Sequence, residues 1–193
     1  MHLKMDEKVS GDAKILNDSS GNGNNGTTVD GANNTGMDCT KPGKVGSTCE
    51  FDGVDDYVDA GDYDILNSVS VSAWFKRDSL GHYDPIVSKY EDFIDNRSYA
   101  LWVDLNNKLN FGISNNGHAA GNFQAAVSTM NIGVNEWHNA TGISYGDGNI
   151  KIFLDGILIA SAYNATITTI YNSPRTVRVG NIRSVSEKYF SGQ

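Results

Sequence analysis

Apolar residues recur at every second position along much of this chain, in short runs broken by Gly, Asn and Asp. That period sets successive side chains on opposite faces of a strand. Val69–Phe75 is the clearest run, with Val69, Val71, Ala73 and Phe75 on one face. Further short strands are predicted over 86–90, 99–104, 109–114, 123–128 and 176–180. Another covers Glu136–Thr141, and a hairpin runs 149–155 and 157–163 through Asp155-Gly156, a pair suited to a tight turn. Asn106-Asn107 and Asn115-Asn116-Gly117 mark other turns. At the N-terminus His2–Asp6 alternates weakly and predicts a first strand with Leu3 and Met5 together. No segment carries a helical period of useful length. Strands at short, regular spacing with Gly and Asn turns predict an antiparallel two-sheet sandwich.

Composition sharpens this picture. The 193 residues suffice for one domain with a sizeable core, and all-β domains of this length are routinely single, so residues 1–193 are read as one domain. The net charge of −8 argues against nucleic acid or an anionic membrane as partner, since both require basic patches. No apolar stretch is long enough to span a membrane, so no membrane insertion is expected. Met1–Asp6 has no apolar run of the signal-peptide kind, so a secreted origin implies a module cut from a longer chain.

Four phrases, taken in order, carry a family resemblance. Residues 51–58 read FDGVDDYV: one strand, a tight acidic turn and the start of the next strand. Residues 18–27 read DSSGNGNNGT, residues 137–141 WHNAT, and residues 150–161 IKIFLDGILIAS. Each is similar to a phrase at the corresponding place in laminin-G-like, concanavalin-A-like jelly-roll domains, as is Val71–Lys76. The resemblance implies the jelly-roll sandwich. It also implies an extracellular or cell-surface module of a larger multidomain protein that recognises a glycan or a glycosylated surface without catalysis. A structural or adhesion domain binding protein partners is the second reading and a glycoside hydrolase the third. The family pattern ends in a further strand of the G-x-I-D-E-V kind, whereas here residues 190–193 read FSGQ. Unless another segment supplies that last strand, a sheet edge is exposed or the first strand is left partly unpaired.

The candidate chemistry is mostly non-catalytic. Glu50, Asp52 and Asp55 echo the carboxylate strand of jelly-roll glucanases, which need paired carboxylates about 5 Å apart. Gly53 breaks the alternation that would aim all three into one cleft, so no catalytic residue is assigned. No His lies at metal-ligand spacing to another His or Cys; His138, beside Trp137, reads as a structural hydrogen-bonding residue. Cys39 and Cys49 flank a polar Gly- and Pro-containing loop, and a disulfide between them is favoured over two free thiols. Asp18, Ser20 and Asn22 alternate and Gly23 follows, the opening of a calcium loop. A structural Ca²⁺ is expected there, completed by Asp52, with Asp55 or Asp56 as substitute; the alternative reading is an Asx-turn-rich loop that satisfies its own backbone. Trp74, Trp102 and Trp137 fall within strand patterns and read as core. Tyr83, Tyr90, Phe123, Tyr145 and Tyr171 lie near turns, where an aromatic face can stack a sugar ring. The predicted carbohydrate contacts are Tyr83, Tyr90, Asp95, Asn96, Arg97, Asn115, Asn116 and Tyr145.

Overall fold

The computed structural model of the chain describes residues 1–31, 37–119 and 121–193. Residues 32–36, inside the predicted Gly- and Asn-rich loop of 31–48, lie outside the described residues. The described residues form strands and turns with no helix, so none is long and apolar enough to cross a membrane.

The strands, in chain order, are β1 (Ile15–Leu16), β2 (Gly26–Val29), β3 (Asp38–Pro42), β4 (Ser47–Asp52), β5 (Tyr57–Asp59) and β6 (Val69–Phe75). They continue with β7 (Asp84–Glu91), β8 (Asn96–Val103), β9 (Lys108–Gly117), β10 (Phe123–Asn131), β11 (His138–Ser144), β12 (Asn149–Leu154) and β13 (Ile157–Tyr163). Four short ones end the chain: β14 (Arg178–Val179), β15 (Asn181–Ile182), β16 (Lys188–Tyr189) and β17 (Ser191–Gly192). One sheet has the order β1-β2-β5-β14-β7-β8-β9-β10. A second has β13-β12-β11-β6, and a small sheet has β17-β4-β3. All ladders within these sheets are antiparallel. The predicted fold class is the one observed.

The alternation read from the sequence decides what is buried. Val69, Val71 and Phe75 of β6 point inward with Ile150, Ile152 and Leu154 of β12. They meet Tyr99, Leu101 and Val103 of β8 and Leu109, Phe111 and Ile113 of β9 from the other sheet. Contact between the sheets is close enough that a Cβ at Gly142 would lie 2.3 Å from Cγ of Phe111. Glycine at 142 therefore admits the Phe111 ring, a packing requirement that alternation alone does not reveal.

Three expectations change. His2–Asp6 forms no strand; a single bridge pairs Leu3 with Asp18, although Leu3 and Met5 do pack against the core. Trp74 is 47 % exposed on the outer side of β6, because it alternates with the buried Val71 and Phe75. Residues 191–192 form a short strand, with Ser191 paired to Asp52 and Gly192 to Phe51 and bridged to Arg77, while β6 stays at the edge of its sheet.

Candidate functional site

Two groups of side chains lie outside the main core. The first forms a second apolar layer on the outer face of the large sheet. β8 reads Tyr-Ala-Leu-Trp-Val over residues 99–103, apolar on both faces. Its odd positions enter the main core, while Ala100 and Trp102 enter the outer layer with Ile182. Tyr83, Tyr90, Phe123 and Ala125 pack on this layer, half-buried. The Tyr83 and Trp102 rings are stacked, 6.1 Å apart and 15° from parallel. Phe123 lies 6.3 Å from Trp102 and 6.0 Å from Tyr90. Gly112 pairs with both Ala100 and Ala125, so three small residues cross β8, β9 and β10 in a row. Phe123 covers that row, and a Cβ at Gly112 would lie 2.3 Å from the ring. Burial drives the Tyr83 hydroxyl well above its ordinary range, keeping it protonated and able to donate a hydrogen bond.

Polar groups border the rings. Arg97 stands 5.7 Å from the Tyr90 ring, donates from Nε to the Tyr90 hydroxyl at 3.1 Å and pairs with Asp95 at 2.6 Å. Asp95 also meets His118 at 2.9 Å, and the His118 N–H donates to Asn116. Asn115 donates to the Thr166 carbonyl, and Asn96 opens β8. Of the residues predicted to contact sugar, Tyr83, Tyr90 and Arg97 thus adjoin the aromatic layer, and Asp95 and Asn116 connect to it through Arg97 and His118. Tyr145 stands apart at the end of β11 in the other sheet, with the Lys151 ammonium 5.2 Å from its ring. Trp102, which sequence reasoning assigned to the core, is buried, 9 % exposed, beneath this layer. Its signal was the doubly apolar run of β8, which requires cover on both faces.

The second group is acidic. Asp30, Asp55 and Asp56 each bring a carboxylate oxygen within 4.8 Å of the other two. The β2–β5 ladder delivers them, since Val29 pairs with Tyr57 and places the residues beyond each strand side by side. Gly31 lets the carboxylates approach, because a Cβ there would meet Asp55 at 2.5 Å. Asp56 is 2 % exposed, and its Oδ1 has no hydrogen-bond partner. Burial, and then the charges of Asp52, Asp30 and Asp55, push its carboxyl up to about 6 against the Asp52 N–H. Three hard oxygen donors with an unsatisfied buried oxygen fit a hard cation.

The predicted calcium set is split by the fold. Asp55 and Asp56 belong to this cluster, joined by Asp30, which the sequence reading did not include. Asp52 is adjacent: its backbone N–H donates to Asp56 Oδ2 at 3.0 Å, and its own Oδ1 accepts from Val54 and Asp55. Asp18 instead accepts from the backbone N–H groups of His2, Ser20 and Asn24 and from the Ser20 hydroxyl. Asn22 donates to Ser20 in the same turn. This is a self-satisfied Asx turn, the local alternative for an Asp-Ser-Gly-Asn stretch.

The glucanase-like carboxylates do not converge either. Glu50 pairs with Lys41 at 3.0 Å, and Asp55 turns toward Asp30 and Asp56. His138, at the start of β11, holds Asp155 of the β12–β13 turn at 2.8 Å, a structural hydrogen-bonding role as expected of it. Cys39 and Cys49 form a disulfide.

A search of curated proteins finds no match to this sequence. Among solved structures, domain 4 of AbnA, a GH43 extracellular arabinanase from Geobacillus stearothermophilus in complex with arabinotriose, superposes with a TM-score of 0.67 at 17% identity. That match covers 94% of this chain and 89% of the other. Mouse laminin alpha1 domains LG4-5 match at TM-score 0.53 and 17% identity over 74% of this chain and 38% of the other. The binding domain of botulinum neurotoxin DC in complex with SialylT matches at 0.53 and 15%, over 94% and 39%. The chain thus spans under half the length of the laminin and toxin structures. At such identities the likeness is one of fold. A family model of laminin-G type matches residues 52–193, most of the chain, and the protein accordingly belongs to the concanavalin A-like lectin/glucanases superfamily.

Proposed function

We infer that the protein is a non-catalytic carbohydrate-binding module whose sugar site is the outer aromatic layer. The observation that carries this is the cluster of Tyr83, Trp102, Phe123 and Tyr90 over a floor of small residues, bordered by Arg97. A pyranose or furanose presents C–H faces that stack on such rings, while its hydroxyls take directional bonds from groups such as a protonated tyrosine or a guanidinium. The arabinanase domain and the toxin domain were solved with arabinotriose and SialylT respectively, which makes arabino- and sialyl-oligosaccharides the first ligands to test. Asp95, Asn96, Asn115 and Asn116 supply a polar border at the β7–β8 turn and the end of β9, and Tyr145 a separate aromatic contact. The Cys39–Cys49 disulfide supports an oxidising, extracellular or surface setting, as part of a larger protein.

Calcium is assigned a structural role. Asp30, Asp55 and Asp56 would hold it, with Asp52 beside them; the ion would neutralise their charge and tie the β4–β5 turn to the end of β2. Ser20, Asn22 and Asp18 would contribute by ordering the neighbouring loop.

The test is titration of a glycan array and then of soluble oligosaccharides. Affinities of about −4 to −8 kcal/mol, micromolar to millimolar, are expected. Tyr83→Ala should weaken binding at least tenfold while the circular dichroism spectrum stays the same. No binding by folded protein to any array glycan would favour the adhesion reading instead.

A further inference from the structure

Three Asn-Gly pairs occur in the chain: Asn22-Gly23, Asn25-Gly26 and Asn116-Gly117. Such a pair carries a reaction of its own. The backbone nitrogen after Asn can attack the side-chain Cγ, and glycine, lacking a Cβ, leaves that nitrogen open to approach. Ring closure asks three things of the fold. The nitrogen must not be held by an acceptor, the side chain must be free to swing over it, and the backbone must not be fixed in a ladder.

Two of the pairs fail these conditions. The Gly117 N–H donates to Ser114 Oγ at 3.0 Å, both residues being buried, and the Asn116 side-chain oxygen accepts from the His118 N–H at 3.0 Å. Gly117 is also paired with Arg97 between β9 and β8. Gly26 pairs with Leu16 in the β1–β2 ladder and lies buried against Val58. The Asn25 side-chain oxygen is tied to the Asp18 N–H at 2.8 Å. Asn22-Gly23 stands in contrast. Gly21, Asn22 and Gly23 are all exposed, in the loop between β1 and β2. Among the described residues the Gly23 N–H has no hydrogen-bond acceptor. A Cβ built on Gly23 would meet nothing within 4 Å, so the space around its nitrogen is open. The Asn22 side chain is held by one exposed bond, from Nδ2 to Ser20 Oγ at 3.0 Å.

We propose that Asn22 is a site of spontaneous deamidation to aspartate and isoaspartate, and that this modification loosens the Asp18 turn. The Gly23 nitrogen bonds to Asn22 Cγ, the Cγ–Nδ2 bond breaks, and the Gly23 proton passes through solvent to the departing nitrogen, which leaves as ammonia. Water then opens the resulting succinimide ring at either carbonyl. One opening gives aspartate; the other gives isoaspartate, with the main chain rerouted through the side chain and longer by one methylene. Either product alters the turn. The Ser20 hydroxyl donates its one hydrogen to Asp18 Oδ2 at 2.8 Å, so toward position 22 it can only accept. The Asn22 amide supplies that donor, and a carboxylate cannot. The new charge also enters the turn that holds the buried Asp18 carboxylate, which accepts from the Ser20 and Asn24 N–H groups. This site is independent of the proposed sugar site, which lies on the outer face of the large sheet.

The experiment incubates the folded protein of residues 1–193 in mildly alkaline buffer below its melting temperature. Conversion is followed by peptide mass spectrometry together with isoaspartate-specific enzymatic methylation. Fragmentation places the change, since Asn22 and Asn25 share a tryptic peptide. Conversion at Asn22 should be at least tenfold faster than at Asn25 or Asn116, whereas in urea the three rates should draw together. Asn22→Gln should remove the fast phase and leave the circular dichroism spectrum unaltered. In the converted protein, hydrogen exchange at the Ser20 and Asn24 N–H groups should quicken. Earlier conversion at Asn25 or Asn116, similar rates at all three in the folded protein, or no conversion at Asn22 overturns the site. Unaltered exchange at Ser20 and Asn24 after conversion overturns the loosening of the turn.

Discussion

At Asp56, burial and neighbouring charge act in the same direction. The folded chain holds a proton there more tightly than the unfolded chain, since the carboxyl rises from 3.8 to about 6. Its stabilising contribution is therefore complete below pH 3.8 and is lost as the pH climbs through about 6. In chelator, stability should fall between about pH 4 and 6, by at most about 3 kcal/mol for a shift of this size. Asp56→Asn should flatten that slope; an unchanged slope in this variant would place the titration elsewhere. Calcium requires ionised ligands, so excess Ca²⁺ should raise the melting temperature at pH 7, with the effect shrinking as the pH drops through about 6. An identical melting temperature with Ca²⁺ and with chelator at pH 7 would remove the calcium assignment. The three-carboxylate cluster was half legible: the Asp55-Asp56 pair stands out in the sequence, but Asp30 is distant along the chain and joins only through the pairing of β2 with β5.

Among the elements, the hairpin of β3 and β4 is the one whose stability rests on a covalent tie. Asp38 pairs with Glu50 and Lys41 with Thr48, leaving Cys39 and Thr40 opposite Cys49 alone. This is a bulge, with one ladder position given up. The disulfide sits in it, wholly buried, and Lys41 braces the outer face between Asp38 at 3.2 Å and Glu50 at 3.0 Å. Closing a loop of this size stabilises by ~3 kcal/mol in the chain-entropy model. A double Cys39→Ala, Cys49→Ala variant should lose about that much in urea unfolding. Loss below a few tenths of that value would mean that the hairpin holds without its tie.

Over the whole molecule, two apolar layers share one large sheet. The inner layer holds the two sheets together, and Phe111 stands at its centre, fully buried against Gly142. Phe111→Ala should cost about 3–5 kcal/mol, because little around a glycine can move in to fill the space. Denaturant titration checks this; a loss under 1 kcal/mol would mean that the core relaxes there. The outer layer is half-buried at Tyr83, Tyr90 and Phe123, so Tyr83→Ala is expected to affect ligand more than fold if the proposed sugar site lies there.

The sequence by itself determined the strands, their turns and which residues share a face. Those are local properties of a two-residue period and of Gly, Asn and Asp in turns, and they point to the sandwich; the resemblance to the superfamily rested on the quoted phrases. The pairing of the only two cysteines was equally within reach. Tertiary structure alone decided what lies opposite each face. Alternation shows that Trp102 and Leu101 part company, but not that Trp102 meets Tyr83 and Phe123, because strand order is a matter of long-range pairing. It was likewise the fold that satisfied Asp18 within its own turn and brought Asp30 to Asp55 and Asp56. Each of these depends on backbone brought together from positions far apart in the chain.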